Sequence, residues 1–308
     1  MKLKEIYAQS KTSSLSSDKV ISFEIFPPKY QSEEDKVQKL DTLFNELKIL
    51  AEFNPAYISV TYGAGGSTRE RSFEIVLKIK NELNICPMPH YTCVGSSKTE
   101  ISQYLNMIQE AGILNILALR GDPPAGEEKF IKAENGFGYA NELVDFINNS
   151  TDLGIAVAGY PEIHQECESF EKDIENLKRK VDSGADAIIT QLFYDNNVFY
   201  NFVEKAQNAG INIPIIPGIL PITGLVQIEK ITAMCSAKVP ETLMQKLREN
   251  QDNKETVKNI GLTFAKDQCS DLLKNGVPGI HFYTLNKAAA VKEVIEDIGM
   301  CNPITVKQ

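Results

Sequence analysis

The sequence predicts an α/β fold, a single (β/α)8 TIM barrel, and three observations support this prediction. Short apolar runs bounded by turn residues recur along the chain, and amphipathic helical patterns lie between them. Such alternation is typical of parallel strands joined by crossover helices. Eight units in 308 residues fit a closed barrel, which commonly has about 250 residues plus insertions. A doubly wound open sheet is the alternative architecture.

Eight segments are predicted as strands because they are short and rich in apolar or β-branched residues. They are Val20–Phe26, Tyr57–Tyr62, Met88–Val94, Asn115–Arg120, Ile155–Tyr160, Ala187–Phe193, Ile213–Ile219 and Gly279–Leu285. Near-continuous apolar runs such as 213–216 indicate a sheet that is covered on both faces. The helical patterns between them include Glu34–Phe53, Arg69–Leu83, Thr99–Ala111, Asn141–Ile147 and Phe170–Ser183.

The whole chain, 1–308, is predicted to form one catalytic barrel domain, because no linker-like stretch divides it. Residues 1–19 are predicted to be an N-terminal tail or helix, and they lack the apolar segment of a secretory signal. No apolar run reaches the roughly 18 residues that would cross a bilayer. We therefore expect a cytoplasmic protein that does not enter a membrane.

Charge and cysteine usage exclude further classes of protein. The net charge of -9 argues against a nucleic-acid binder, which needs clustered cations to contact phosphates. The six cysteines form no C-x-x-C pair, so neither a zinc ribbon nor a dithiol redox motif is indicated, and free thiols are expected. The three histidines are not spaced as ligands, and no metal site is predicted.

Polar residues fall at the carboxyl ends of most predicted strands, where a barrel of this kind has its active site. They include Glu24, Thr61, Tyr62, His90, Arg120, Asp122, Tyr160, His164, Gln191 and Lys287. We expect these side chains to converge on one mouth of the barrel. Glu24 stands among phenylalanines, which fits either a structural carboxylate paired with an arginine or a general acid.

A basic stretch at 178–180 also has two interpretations. Three adjacent cations on a helix are usually a solvated face. However, Asp173, Asn176 and Lys180 share one face of the predicted helix, so a phosphate or ribose contact is the alternative. The glycine-rich segment 63–66 is predicted to be a simple turn, because no dinucleotide-binding or Walker pattern completes it.

Several of these motifs together resemble one family, the methylenetetrahydrofolate reductases in their short bacterial form. The matching segments are Ser22–Pro28, Ser59–Ala64, Leu119–Asp122, Tyr160–His164, Asn176–Lys180, Ile189–Gln191, Pro217–Pro221 and His281–Asn286. The resemblance extends from about Ile21 to Lys287. It implies a barrel that binds FAD, takes a hydride from NADH or NADPH, and reduces 5,10-methylenetetrahydrofolate to 5-methyltetrahydrofolate for methionine synthesis.

The resemblance also implies roles for individual residues. Glu24 would be the general acid, Asp122 would lie near flavin and pterin, and Gln191 would bind the pterin. Gln227 and Lys287 would contact folate. The flavin would be bound by Thr61, Tyr62, Ala64, His90, Arg120, Gly121, Asp122, Ala140, Tyr160, His164, Asp173, Asn176, Arg179 and Lys180.

Two positions depart from the pattern of some family members, and several properties stay open. Ile231 stands where some bacterial members carry a stacking phenylalanine, and Lys287 stands where others carry an arginine, whose fork binds a carboxylate at two points. The choice between NADH and NADPH is open because no Rossmann unit is present. A homo-oligomer is expected, without a defined subunit number.

Two other functions remain as alternatives. The first is a different flavin barrel, such as a proline dehydrogenase-like oxidase, and dependence of turnover on folate separates it from the reductase. The second is a folate-binding barrel without redox chemistry, acting as a carrier or methyltransferase subunit. A lack of bound flavin would favour this second alternative.

Overall fold

The computed structural model describes residues 1–10, 19–62, 69–123 and 130–300 as an alternation of parallel strands and helices. The strands are β1 Val20–Ile25, β2 Tyr57–Val60, β3 Pro87–Thr92, β4 Asn115–Leu119, β5 Gly154–Gly159, β6 Ala187–Thr190, β7 Ile215–Ile216, β8 Gly218–Ile219 and β9 Gly279–Tyr283. The helices are α1 Leu3–Ser10, α2 Glu33–Ala51, α3 Arg69–Leu83, α4 Lys98–Glu110, α5 Ala140–Ser150, α6 Phe170–Asp182, α7 Asn196–Asn208, α8 Leu225–Cys235, α9 Glu241–Glu249, α10 Lys254–Lys274 and α11 Ala288–Asp297.

The sheet has the strand order β7-β6-β5-β4-β3-β2-β1-β9-β8, and all of its pairings are parallel. Strands β7 and β8 are consecutive in the chain but lie at opposite ends of this order. Since they are one residue apart, the two ends of the sheet meet and the strands form a closed barrel. The predicted (β/α)8 fold is therefore confirmed.

The seventh predicted strand, 213–219, is wrong as a single element, because the structure divides it at Pro217. Proline has no backbone N–H and cannot continue a ladder as a donor. Before it, Ile215 pairs with β6; after it, Gly218 pairs with β9. The Gly218 N–H donates to Thr190 Oγ1 at 3.0 Å instead of continuing the ladder. The proline thus marks the point where the strand changes partner and the barrel closes.

Along each strand, successive side chains point alternately outward to the helices and inward to the barrel interior. The outward set, which includes Phe23, Ile58 and Val157, packs in one large apolar core with residues of the surrounding helices. Helix α4 begins at a capping box, in which the Ser97 side chain accepts from the Glu100 backbone N–H and the Glu100 side chain accepts from the Ser97 backbone N–H. The inward set contains both apolar and polar residues: Glu24 and Thr92 lie toward the carboxyl ends of their strands, whereas Asn115 begins β4 at the amino end.

Helix α1 closes the amino-terminal end of the barrel. Its residues Leu3, Ile6 and Tyr7 are buried among the first inward side chains of the strands. The Leu3 N–H donates to Asn115 Oδ1 at 2.9 Å, and Lys4 Nζ lies 2.8 Å from Asp186 Oδ1. The predicted tail or helix at 1–19 is therefore helical at residues 3–10, and residues 11–18 lie outside the described part.

The described residues were also compared with the expectations on membrane insertion, metal binding and disulfide bonds. In these ranges, no helix combines the length and the apolar character that crossing a membrane requires. No group of three or more His, Cys, Asp or Glu in the same ranges is arranged to hold a metal ion. All five described cysteines have free thiols.

Candidate active site

A buried carboxylate, Glu24, lies near the carboxyl end of β1 and faces the barrel interior. Its neighbours Phe23 and Ile25 belong to the outward-facing core, so the strand alternation directs Glu24 inward. Glu24 is 8% exposed, and its Oε2 lies 3.4 Å from His90 Nε2 and 3.7 Å from His281 Nε2. Its nearest described ionisable neighbours are therefore two imidazoles, not the arginine that the structural interpretation of Glu24 requires.

His90 is uncharged near neutral pH. Its pKa is lowered to about 4, mainly by burial; the Glu24 carboxylate partly opposes this shift, and the neighbouring His281 adds to it. Within the described part of the chain, four polar atoms of this interior, Ser59 Oγ, His90 Nε2, Thr92 Oγ1 and His281 Nε2, are buried without a hydrogen bond. Buried polar groups are normally hydrogen-bonded, so this arrangement fits a site completed by water or a ligand.

The second imidazole, His281, is held in place on several sides. Its Nδ1 lies 2.8 Å from Ser22 Oγ, and its ring stacks on Tyr57 with centroids 6.0 Å apart. The ring of Tyr283 meets it edge-on at 5.5 Å. No individual role was predicted for Ser22, His281 or Tyr283, although all three lie in segments that carry the family resemblance. Their signal was the period-two alternation along β1 and β9, which places them on the same inner surface as Glu24.

The end of β4 carries a fixed cation and a position that requires glycine. Arg120 forms a two-point pair with Glu166, with N···O distances of 2.5 and 2.6 Å. Gly121 has φ +89°, and a Cβ there would lie 2.9 Å from Thr92 Cβ. Asp122 is exposed. The expected ligand-facing cation is thus occupied by Glu166, whereas Asp122 is open to a ligand.

The loop after β5 and the helix α6 bring together most of the remaining expected flavin contacts. Tyr160 and His164 meet edge-on with ring centroids 4.6 Å apart. The His164 N–H donates to Asp173 Oδ2 at 2.9 Å, which ties the loop to α6. Burial, with Arg120 nearby, lowers the pKa of His164, so this side chain is also mostly uncharged at neutral pH.

Lys180 is a half-buried cation on the inner face of α6. Its Nζ donates to the Ala158 carbonyl oxygen at 2.5 Å and lies 5.7 Å from the centre of the Tyr160 ring. Burial lowers the pKa of Lys180 to about 8, although the Asp173 carboxylate opposes this shift. Lys178 instead pairs with Asp182 on the same helix, as a solvated face does. Only part of the basic stretch therefore has the surface role that charge patterning alone suggests.

The other expected site residues are more dispersed. Gln191 Oε1 accepts from the Leu192 N–H at 2.9 Å, and Gln227 Oε1 accepts from Thr223 Oγ1 at 2.6 Å. Both amides are thus engaged locally. Asn176 is half-buried on α6, with Nδ2 3.8 Å from Cys167 Sγ. Thr61, Tyr62, Ala140, Arg179, Ile231 and Lys287 lie at strand ends or helix ends or on helix surfaces, and Ala64 lies outside the described residues.

Comparisons with known proteins agree on one family. The model of the family described as methylenetetrahydrofolate reductase matches residues 9–299. The chain is 38% identical over 310 residues to methylenetetrahydrofolate reductase (NADH) 1 of Arabidopsis thaliana, covering 97% of this chain and 50% of the plant protein. It therefore spans about half the length of the plant relatives that it matches.

A bacterial relative is covered almost completely. The chain is 36% identical over 280 residues to 5,10-methylenetetrahydrofolate reductase of Escherichia coli, covering 91% of this chain and 90% of that protein. Among solved structures, a Clostridium thermocellum protein described as binding two copies of 5-methyl-5,6,7,8-tetrahydrofolic acid has a TM-score of 0.62 at 13% identity. The superposition includes 96% of this chain and 97% of the Clostridium thermocellum chain. At this low identity, the likeness concerns the fold alone.

Proposed function

Because the chain belongs to the methylenetetrahydrofolate reductase family, we propose that it reduces 5,10-methylenetetrahydrofolate to 5-methyltetrahydrofolate with NADH, through bound FAD. The observation that carries this proposal is Glu24, a buried acid at the inner mouth of the barrel beside two imidazoles. NADH is chosen over NADPH because the Arabidopsis thaliana relative is named for it. The folate substrate agrees with the name of the Escherichia coli relative.

The described residues fit a ligand that carries phosphates and a flat ring system. Lys180 is a partly desolvated cation whose hydrogen bond goes to a backbone carbonyl, so a phosphate would restore the charge balance that burial disturbs. Gly121 leaves no room for a side chain where the backbone approaches the mouth. Tyr160, His164 and Asp173 complete a polar surface beside it. When bound there, FAD would accept a hydride from the nicotinamide and pass it to folate.

Glu24 supplies the proton that the folate half-reaction requires. Protonation of N10 of the substrate by Glu24 breaks the bond between N10 and the bridging carbon and leaves an iminium at N5. A hydride then adds to that carbon, which becomes the methyl group, and Glu24 regains a proton from solvent. The proton enters through Glu24 and the electron pair through the nicotinamide, so the two half-reactions place different demands on the protein.

The test is an anaerobic titration of the purified protein followed by visible absorption. Flavin bands should bleach when NADH is added and return when methylenetetrahydrofolate follows. Bands that bleach but do not return would retain a flavoprotein and remove the folate substrate. A protein that neither carries nor binds flavin would favour a folate-binding barrel without redox chemistry.

The same proposal includes a cytoplasmic location and a homo-oligomeric assembly, both of which are expected from the sequence. Sedimentation of the purified protein at several concentrations tests the assembly. A single species with the 34.2 kDa mass of one chain at all concentrations would remove that part of the proposal and leave the chemistry unaffected.

A further inference from the structure

A continuous series of hydrogen-bonding side chains runs through the barrel from the closed end to the acid. Tyr7 Oη and Tyr57 Oη lie 2.8 Å apart, both side chains being fully buried. Ser22 is the register partner of Tyr57 on the neighbouring strand and a hydrogen-bonding partner of both phenols, and its Oγ lies 2.8 Å from His281 Nδ1. His281 Nε2 then faces Glu24 Oε2 at 3.7 Å. This series, named here the tyrosine chain, comprises Tyr7, Tyr57, Ser22 and His281.

The first member of the tyrosine chain belongs to helix α1 and precedes the residues that the family model matches. The family match begins at residue 9, whereas Tyr7 precedes it. Nevertheless, Tyr7 is inserted among barrel side chains and is anchored there by its helix neighbours Leu3 and Ile6. A helix that only covered the barrel would need apolar residues, so its buried phenol requires a separate explanation.

The direction of these hydrogen bonds controls what His281 presents to Glu24. A neutral imidazole carries one N–H, and the partner of one ring nitrogen determines which nitrogen has it. If Tyr57 donates to Ser22, the Ser22 hydroxyl is free to donate to Nδ1, and the proton of His281 then resides on Nε2. An Nε2–H directed at Glu24 stabilises the carboxylate that remains after the proton has gone to substrate.

We propose that Tyr7 is a positioning residue for the active-site acid, acting through Tyr57 and Ser22 on the tautomer and orientation of His281. This inference rests on the proposed folate reduction, in which Glu24 cycles between acid and carboxylate. The 3.7 Å gap between His281 and Glu24 is longer than a hydrogen bond. Catalytic contacts of this kind often shorten only in the substrate complex.

Burial supports the assignment of the tyrosines as neutral donors. It raises the pKa of Tyr57 to about 12 and that of Tyr7 well above its usual value. Both phenols therefore keep their protons throughout the working pH range, and they serve as fixed hydrogen-bond donors that do not ionise. The tyrosine chain orients protons at constant charge.

The experiment compares Tyr7→Phe and Tyr57→Phe with Tyr200→Phe in the full-length protein carrying its flavin. Tyr200 is the matched control, because its hydroxyl lies 2.6 Å from Asp271 Oδ2 on the outer helices, so this variant also loses one tyrosine hydrogen bond. Bleaching by NADH and recovery with methylenetetrahydrofolate are timed separately over a range of pH. Two chain variants are used so that a misfolded one does not leave the question open.

We expect Tyr7→Phe and Tyr57→Phe to reduce flavin at the wild-type rate but to be reoxidised by folate about fivefold more slowly, with a displaced pH profile. Tyr200→Phe should match wild type in both steps. A second readout is ¹⁵N NMR of the imidazoles, since the chain has only three histidines. The His281 signals are identified by their loss in His281→Asn. In Tyr7→Phe and Tyr57→Phe they should shift to the positions typical of the Nδ1–H tautomer.

Unchanged folate reoxidation and unchanged His281 signals in both chain variants would overturn the positioning role. Equal slowing of both half-reactions would also overturn it, because that is the result of general loosening. Wild-type protein that fails to reduce folate would instead refute the proposed function. In that case the NMR comparison still decides whether Tyr7 controls the His281 tautomer.

Discussion

The two ends of the barrel are built from the same strands but bury different chemistry. At the closed end, Met88, Leu117 and Ile216 fill the interior with apolar side chains and pack in one cluster with Leu3 of α1. At the mouth, the inward residues are acids, imidazoles and hydroxyls, and several of their polar atoms are buried without a hydrogen bond within the described ranges. The comparison indicates that stability is concentrated at one end and chemistry at the other, since unmet polar groups cost stability.

The largest expected effect that separates the two ends is that of Glu24→Gln. The amide keeps the shape of the side chain but cannot donate the proton that opens the folate ring. Folate-driven reoxidation should fall about 10³-fold, while bleaching by NADH stays near the wild-type rate, because only the folate half-reaction uses this proton. Stopped-flow absorption measures both rates.

The matched control for this variant is Glu162→Gln. Glu162 is also a partly buried carboxylate near the mouth, but its oxygens accept from the Lys238 backbone N–H at 3.0 Å. This variant should keep both rates within about twofold. Comparable losses of both half-reactions in Glu24→Gln would remove Glu24 from its assigned role.

The closed end should respond in the opposite way to truncation of Leu117, an inward residue of β4 that is 5% exposed. Leu117→Ala leaves a cavity in the apolar layer, and its expected cost is about 3 kcal/mol of unfolding free energy. Flavin reduction and reoxidation should be unchanged at 25 °C. Urea unfolding followed by circular dichroism measures the stability, and stopped-flow measures the rates.

Leu119→Ala provides the comparison one layer closer to the mouth on the same strand. Leu119 is only half-buried, so its truncation should cost about 1 kcal/mol. If the two substitutions cost the same, apolar packing does not decline toward the mouth. The proposed division of labour along the barrel axis would then be wrong.

The buried imidazole of His90 should make the mouth sensitive to acid. Its folded pKa of about 4 lies below the ordinary value of 6.5, so the unfolded chain binds more protons between these values. Stability therefore decreases as pH falls from 6.5 to 4, by about 2 kcal/mol between pH 7 and pH 5 from this group alone. In His90→Gln that part of the pH dependence should be absent from urea unfolding curves.

His164→Gln is the corresponding control, because His164 is half-exposed and burial lowers its pKa by less than that of His90. Its removal should change the pH dependence by a smaller amount. If the unfolding free energy of His90→Gln keeps the wild-type slope between pH 7 and pH 5, His90 does not carry the acid lability of the mouth.

The sequence predicted the barrel well because strand alternation is a local property. Each strand of the barrel, β1 and β9 included, carries its own pattern of apolar and turn residues. The division at Pro217 was not predicted, because the apolar pattern is the same on both sides of the proline. The change of partner there depends on Thr190 and His281, which lie far away in the chain.

The site was predictable to the same extent and for the same reason. Glu24 and His90 were singled out by their strand ends, and the structure brings them together. The contact between Ser22 and His281 joins residues 259 positions apart in the sequence, and no local sequence pattern predicts it. Arg120 was expected to face a ligand, but its fork is taken by Glu166, 46 residues later. Side-chain contacts between distant strands and loops are thus the feature of the site that composition and periodicity do not predict.

The smallest expected effect concerns Lys180, where the mouth is proposed to hold phosphate. Lys180→Met keeps the length of the stem and removes the charge, and FAD should then bind about tenfold more weakly. Lys178→Met, which breaks a surface pair on the same helix, should bind FAD as wild type does. Because the pKa of Lys180 is about 8 without a ligand, wild-type affinity should also decline as pH rises through 8, when binding must first protonate the amine. Fluorescence titration measures both effects, and equal affinity and equal pH dependence in the two variants would place the phosphates elsewhere in the mouth.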